Sequence, residues 1–237
     1  MTYVLDDRHL DEQFSPPAGL SARTRPDTLG LAAVLGSDRD CSCGADSTSW
    51  AAHAKQHMRW ARGVPVAPAA DLARVCQATG LDSLLPVPQS ASAPLRRLAY
   101  DVGLLFRREN RYDFPPLPWP GRGGMAWTDD PTAYLAVWED RAIALVVLHT
   151  VERFGLHDRP DEKGYVQLDQ PGPVRGVAAV FVCADYRRRG IASRLVRAAC
   201  AAEDHALEDL AWSLPFSPGG AALARTLVAA DGLRVSA

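Results

Sequence analysis

The chain has 237 residues, of which 47% are hydrophobic and 23% charged, and its formal net charge is −2. Such a composition supplies the apolar surface for one main domain with an appendage and excludes a disordered or low-complexity chain. The near-zero net charge excludes a global basic field, and with it a general nucleic-acid or acidic-membrane binder.

The chain begins "MTYVLDDRHLDEQ", acidic and without an apolar leader, and the longest apolar run, "AIALVVL" at 142–148, is far too short to cross a bilayer. A cytoplasmic protein with no membrane partner is expected. Five cysteines are an odd number, and Cys76, Cys183 and Cys200 stand singly in apolar surroundings, so reduced thiols are expected rather than a disulfide framework. Of 26 basic residues only Lys55 and Lys163 are lysine, in an Ala-rich chain, a bias expected of a GC-rich bacterial genome.

Residues 1–35 carry Pro16, Pro17 and Pro26 with little periodicity and read as an irregular arm. Residues 36–66 read as a compact unit around "CSCGADSTSWAAHAKQHMRWARG" (41–63), and 67–92 as a linker, because "PVPQSASAP" (86–94) is rich in Pro, Ala and Ser. The main domain is 93–237. It opens with a helix over 94–106, where Leu95, Leu98, Val102 and Leu105 fall at helical spacing, and continues through a Pro-rich loop. Two β-rich runs, 132–140 and 141–152, predict an antiparallel hairpin turning at Asp140-Arg141, and "VRGVAAVFVC" (174–183) a third, nearly all-apolar strand. A helix over 190–207, a strand at "DLAWSLP", a helix over 218–230 and a terminal strand at "LRVSA" complete the order. The class is α/β (α+β) with a mixed central sheet.

Between the third strand and its helix stand Arg187, Arg188, Arg189, Gly190, Ile191, Ala192 and Ser193. A strand entering a helix through R-x-x-G-x-A presents free backbone N–H groups and the positive end of the helix dipole, which suit a pyrophosphate. Gly190 and Ala192 permit close approach, and the arginines add charge-assisted bonds. An ordinary basic helix cap has the same residues.

The β-β-β-(RxxGxA)-α-β-α-β order resembles the GNAT acyltransferases. The resemblance implies acetyl-CoA, with the pantetheine arm beside Val180, Phe181 and Val182 and the pyrophosphate on the following helix. More closely, "RGVAAVFVCADYRRRGIASRLV" with "LAWSLPFSPGGAALA", and "PTAYLAVWEDRAIALVVLHT" before them, are similar to the acetyltransferase domain of the sister-chromatid cohesion establishment enzymes, over about 131–237.

Cys41, Cys43, His53 and His57 spell C-x-C-x9-H-x3-H. The histidines, four apart, share one helical face, and two thiolates on a tight turn could complete a tetrahedral zinc site; incidental cysteines beside a helix with exposed histidines are the plainer alternative. A unit this small has too little core to order itself without a metal. "CSCG" and "HAKQHMRWARGVPV" also resemble the finger preceding the acetyltransferase domain in the same family, which implies a C2H2-like zinc finger. The C-x-C is shorter than that finger's C-x-x-C, and Asp40 or Asp46 are substitutes for a fourth ligand. With few basic residues, a DNA-reading finger is not expected.

Acetyl transfer to an amine needs a polarised thioester carbonyl, a neutral amine and a route for its proton. Here the chain departs from the family, whose pattern implies a polar residue after the serine of A-F-S-[DQ]-P and a polar serine early in the third strand. Leu214 and Ala178 occupy those places. His149 is the candidate base, or else a structural histidine; Ser213 keeps the family's serine, to orient substrate or cap a turn. Glu152 is a rival base and Cys183 a nucleophile only in a ping-pong scheme. Trp119, Trp127, Trp138 and Trp212 read as packing. An N-acetyltransferase follows, with an amine-bearing metabolite or antibiotic as first acceptor class and a protein lysine as second; a non-catalytic acyl-CoA-binding or partner-binding protein is the alternative of another class.

Overall fold

The computed structural model describes residues 41–44, 49–66, 84–113, 115–117, 131–157, 169–214, 216–228 and 233–236. The arm 1–35, Asp40, Asp46, Cys76, Trp119 and Trp127 lie outside them. The elements run α1 (Trp50–Arg62), β1 (Val64–Pro65), β2 (Leu84–Val87), α2 (Ala93–Asn110), β3 (Thr132–Trp138), β4 (Arg141–His157), β5 (Gln170–Val182), α3 (Ile191–Ala202), β6 (Ala211–Ser213), α4 (Pro218–Leu227) and β7 (Leu233–Ser236).

Glu139 and Asp140, with φ of 45° and 60°, form the two-residue turn whose twist suits an antiparallel hairpin, and they fold β3 onto β4. The remaining strands extend the sheet to the order β2-β3-β4-β5-β6-β7, with β1 on β4 and the far end of β4 on β7. Only β5 with β6 and β6 with β7 run parallel, so the sheet is mixed, as expected.

Strand alternation sends side chains to two cores. On one face α3 and α4 bury Leu195, Val196, Ala199 and Ala224 against Ala144, Val146 and Leu148. On the other, α2 buries Ala99, Val102 and Leu105 against Leu145, Val147 and Phe181. The second core also holds Val64, Val66, Leu85 and Val87.

That membership corrects the domain boundaries. The expected linker 67–92 contains β2, a sheet strand paired with β3 from Leu84↔Ala136 to Val87↔Ala133. The end of the expected finger is β1, paired with β4 at Val64↔Ala142. Pro86 fits an edge strand, where a missing N–H is tolerated. The helix expected over 190–207 is α3, which stops at Ala202. Asp204 turns left-handed at φ 56°, and the N–H groups of Asp204 and His205 bond the carbonyls of Ala201 (3.2 Å) and Cys200 (2.9 Å), a Schellman closure. Likewise α4 ends at Leu227 rather than 230.

Candidate functional site

Strands β5 and β6 pair over two positions, Gly176↔Ala211 and Val177↔Trp212. Beyond them β5 continues to Val182 while β6 ends at Ser213. The strands part, and among the described residues no strand lies on the β6 side of 178–182. A bulge marks the parting: Val147 opposes Ala179 and Leu148 opposes Val177, leaving Ala178 out of the ladder and re-aiming the backbone. Val180 and Val182 pack toward the α3 face and Phe181 toward the α2 face.

The loop after β5 ends on Gly190, which caps α3 at φ 73°. No side chain caps that helix and its first turn holds no acidic residue, so the N–H groups of Ile191, Ala192 and Ser193 have no intrahelical acceptor. The space that a Cβ on Gly190 would fill is open, and a left-handed φ favours glycine there. Arg188 and Arg189 are exposed beside it. Arg187, expected with them at the pyrophosphate, is committed elsewhere: its Nε donates to the Val182 carbonyl (2.8 Å) and its Nη2 to Glu109 Oε2 (2.5 Å).

At the apex of the parting, His149 on β4 faces β6. Its Nε2 lies 3.2 Å from Ser213 Oγ, and Ser213 Oγ lies 3.2 Å from Ser236 Oγ on β7. The opposing residue on β5 is Gly176; a Cβ there would strike Val151 Cγ2 at 2.4 Å and come within 3.1 Å of His149 Nε2, so the glycine leaves room for both side chains. Ala178 on β5 and Leu214, the residue after β6, are both apolar. Glu152 is exposed on the strand beyond the bulge. Cys183 is fully buried, and burial pushes its thiol up to about 12. Trp212 is core, and Trp138 packs against it.

In the N-terminal unit, Cys41 Sγ lies 3.2 Å from His57 Nδ1 and Cys43 Sγ 3.6 Å from His53 Nε2. All four ligand atoms fall within 4.8 Å of one another. Tetrahedral zinc, with bonds of about 2.3 Å to sulfur and 2.0 Å to nitrogen, has ligand–ligand edges of roughly 3.3–3.8 Å, so two thiols and two imidazoles in this arrangement fit the ion. The short C-x-C succeeds because the Gly44 N–H closes a turn on the Cys41 carbonyl at 3.1 Å. Gly44 has φ 63°, and a Cβ there would strike the Arg108 carbonyl at 2.3 Å, which seats the turn on the end of α2. Ser49 caps α1 by accepting from the Ala52 N–H (3.2 Å), and α1 then carries both histidines.

Residues 101–214 match the acetyltransferase (GNAT) family. The chain carries a GNAT acetyltransferase domain. Among solved structures it is similar to the xEco2 acetyltransferase domain bound to a CoA conjugate, with a TM-score of 0.51 and 18% identity over 65% of this chain and 91% of that one. A second structure of the xEco2 domain gives 0.49 and 19% over 65% and 89%. An aminoglycoside acetyltransferase from an uncultured soil metagenomic sample gives 0.35 and 15% over 57% and 81%. At 18% identity the first of these likenesses speaks to the fold alone. No curated protein matches the chain.

For the GNAT domain, the structure brings together the expected helix entry at 190–193 and the edge of β5, and it brings His149 to Ser213. Sequence reasoning missed Ser236, whose only signal was a polar residue in a terminal strand, and Glu109, an acidic residue late in a helix with nothing local to mark it. No helix among the described residues is long and apolar enough to cross a membrane.

Proposed function

We propose that the protein is an acetyl-CoA-dependent N-acetyltransferase of the cytoplasm that passes acetyl directly to an amine, with an amine-bearing small molecule as acceptor. The carrying observation is the parting of β5 from β6 beside an uncapped helix start at Gly190. Acetyl-CoA supplies the acetyl group as an activated thioester. The β5 edge at 178–182, which no described strand covers, offers alternate N–H and C=O groups to an amide-bearing arm, and the first-turn N–H groups of α3, with Arg188 and Arg189, offer donors to a pyrophosphate.

His149 takes the proton of the attacking amine, and Ser213, held in turn by Ser236, orients its ring. Direct transfer is supported by Cys183: a thiol held protonated by burial cannot carry the acyl group as a thiolate. Leu214 and Ala178 replace the polar groups of the cohesion enzymes, and for that reason their substrate is not carried over. Cys41, Cys43, His53 and His57 would hold zinc as a structural ion, since four protein ligands leave no open position.

The test is turnover of acetyl-CoA against a panel of polyamines, aminoglycosides, amino acids and lysine peptides, with released CoA measured. Release with a small amine supports the proposal. Release with lysine peptides alone moves the acceptor to protein, and binding of acetyl-CoA without release under any amine refutes an enzyme. Metal analysis should find about one zinc per chain.

A further inference from the structure

Of the three consecutive arginines, Arg187 points into the protein, and its surroundings join the Cys/His unit to the cofactor loop. Glu109 Oε2, at the end of α2, accepts from both Trp60 Nε1 (2.7 Å) and Arg187 Nη2 (2.5 Å). The Arg187 guanidinium stacks over the Trp60 ring at 5.4 Å and the Phe181 ring at 5.7 Å. Its Nε fastens the Val182 carbonyl. Trp60 is in turn one helical turn from His57, with ring centroids 5.3 Å apart.

Two further contacts bind the same elements. Arg62 pairs with Asp185 at 3.8 Å, and the Cys183 thiol donates to the Arg59 carbonyl. The strand geometry agrees, because β5 leaves β4 at Ala144↔Val182 and β1 takes up the lane at Val64↔Ala142. The Cys/His unit therefore abuts the point where β5 becomes the cofactor loop. Within that loop Arg188 adopts φ 61°, a left-handed conformation that is unfavourable for a non-glycine residue and persists only where neighbours hold it.

We propose that Trp60 and Glu109 are positioning residues for the acetyl-CoA loop, and that the Cys/His unit sets cofactor affinity through them. The relay is His57 ring to Trp60, Trp60 and Glu109 to Arg187, and Arg187 to the backbone of 182–190 that presents Arg188, Arg189 and the start of α3. It rests on the readings that this loop receives the pyrophosphate and that the four ligands hold zinc. A purely structural role would lower melting temperature without moving cofactor affinity in the folded protein.

The experiment is calorimetric titration of free CoA into the full chain, well below its melting temperature, before and after zinc removal by a chelator. Trp60→Phe keeps the ring and removes the N–H; Glu109→Gln keeps the shape and removes the charge. Each should weaken CoA binding by about three- to tenfold. Zinc removal from the wild type should weaken it at least as much, and Glu109→Gln should then add nothing, the signature of a shared route. Gly190→Pro serves as the control. If it loses CoA while Trp60→Phe and Glu109→Gln bind as wild type, the positioning role is overturned and the cofactor site stands. Should Gly190→Pro also bind as wild type, the cofactor-site reading itself falls. If zinc removal leaves affinity unchanged while Glu109→Gln weakens it, the link to the Cys/His unit is overturned.

Discussion

In the proposed acyl-transfer site, the two ends of the gap beside β5 are built from different materials. At the cofactor end the chemistry comes from backbone: first-turn N–H groups of α3, the unpaired edge of 178–182 and a left-handed Gly190. At the acyl end it comes from side chains, the His149, Ser213 and Ser236 series. Backbone donors survive almost any side-chain change that preserves the turn, so one cofactor end can serve many enzymes. Side-chain donors are lost by a single substitution. Acceptor choice is therefore expected to reside at the acyl end, and cofactor choice at the other.

The sharpest way to break this comparison is at Gly190. Proline fixes φ near −65°, and the residue sits at +73°, so Gly190→Pro must refold the turn and withdraw the donors beside it. CoA binding by calorimetry should fall below detection while the fold persists by circular dichroism. Unchanged affinity in the folded variant would overturn the assignment of the pyrophosphate to this helix start. Next in size is His149→Ala. A positioned base is worth about 10²–10⁴ in rate, so turnover should fall by that order with CoA affinity intact, since the ring lies at the other end of the cleft. Near wild-type turnover would make His149 structural and leave Glu152 or a desolvated amine to account for the proton.

How much of this was legible follows the same division. Alternating apolar runs gave away β3, β4 and β5, and the helix entry at Gly190 was readable because glycine and its spacing are the signal. Strand β1 has two residues, too few for any periodicity, and β2 carries Pro86 beside a Ser- and Ala-rich stretch, so local composition hid a pairing made with β3 far along the chain. Those two strands unite what read as separate domains. The three arginines are identical in sequence, and only the tertiary partners Trp60 and Glu109 turn Arg187 inward. In contrast, Cys41, Cys43, His53 and His57 were legible from ligand type and the histidines' shared helical face only together with the small size of the unit and the resemblance of "CSCG" and "HAKQHMRWARGVPV" to the family's finger, since C-x-C spacing alone is a weak match.

Metal removal sharpens the comparison more gently. Val64 and Val66 share a core with Leu145 and Phe181, so stripping zinc, or His57→Ala, should lower one cooperative melting transition rather than melt a separate N-terminal unit. A shift of several degrees is expected in differential scanning calorimetry. Two resolved transitions, only one of them zinc-sensitive, would restore the picture of independent units.

The smallest effect concerns two buried thiols, one at each structural boundary of the cofactor helix. Cys183 lies where the N-terminal unit meets the loop and Cys200 on the buried face of α3 itself, and burial raises both from 9.0 to about 12. Below pH 9 folded and unfolded chains hold these protons alike, and stability is independent of them. As pH climbs past 9 the unfolded thiols ionise while the folded ones stay protonated, so the stability they contribute declines and is lost by about pH 12. Tyr134, Tyr112 and Tyr186 are also raised by burial from 10.0 and add to the decline about one pH unit later, so the cysteines dominate its onset between pH 9 and 10. Between pH 9 and 10 urea midpoints should fall more steeply for the wild type than for the Cys183→Ala, Cys200→Ala double variant. Alkylation by iodoacetamide at pH 8 should spare both thiols in the folded chain, and rapid modification of Cys183 there would mean that the seam between the N-terminal unit and the cofactor loop opens in solution.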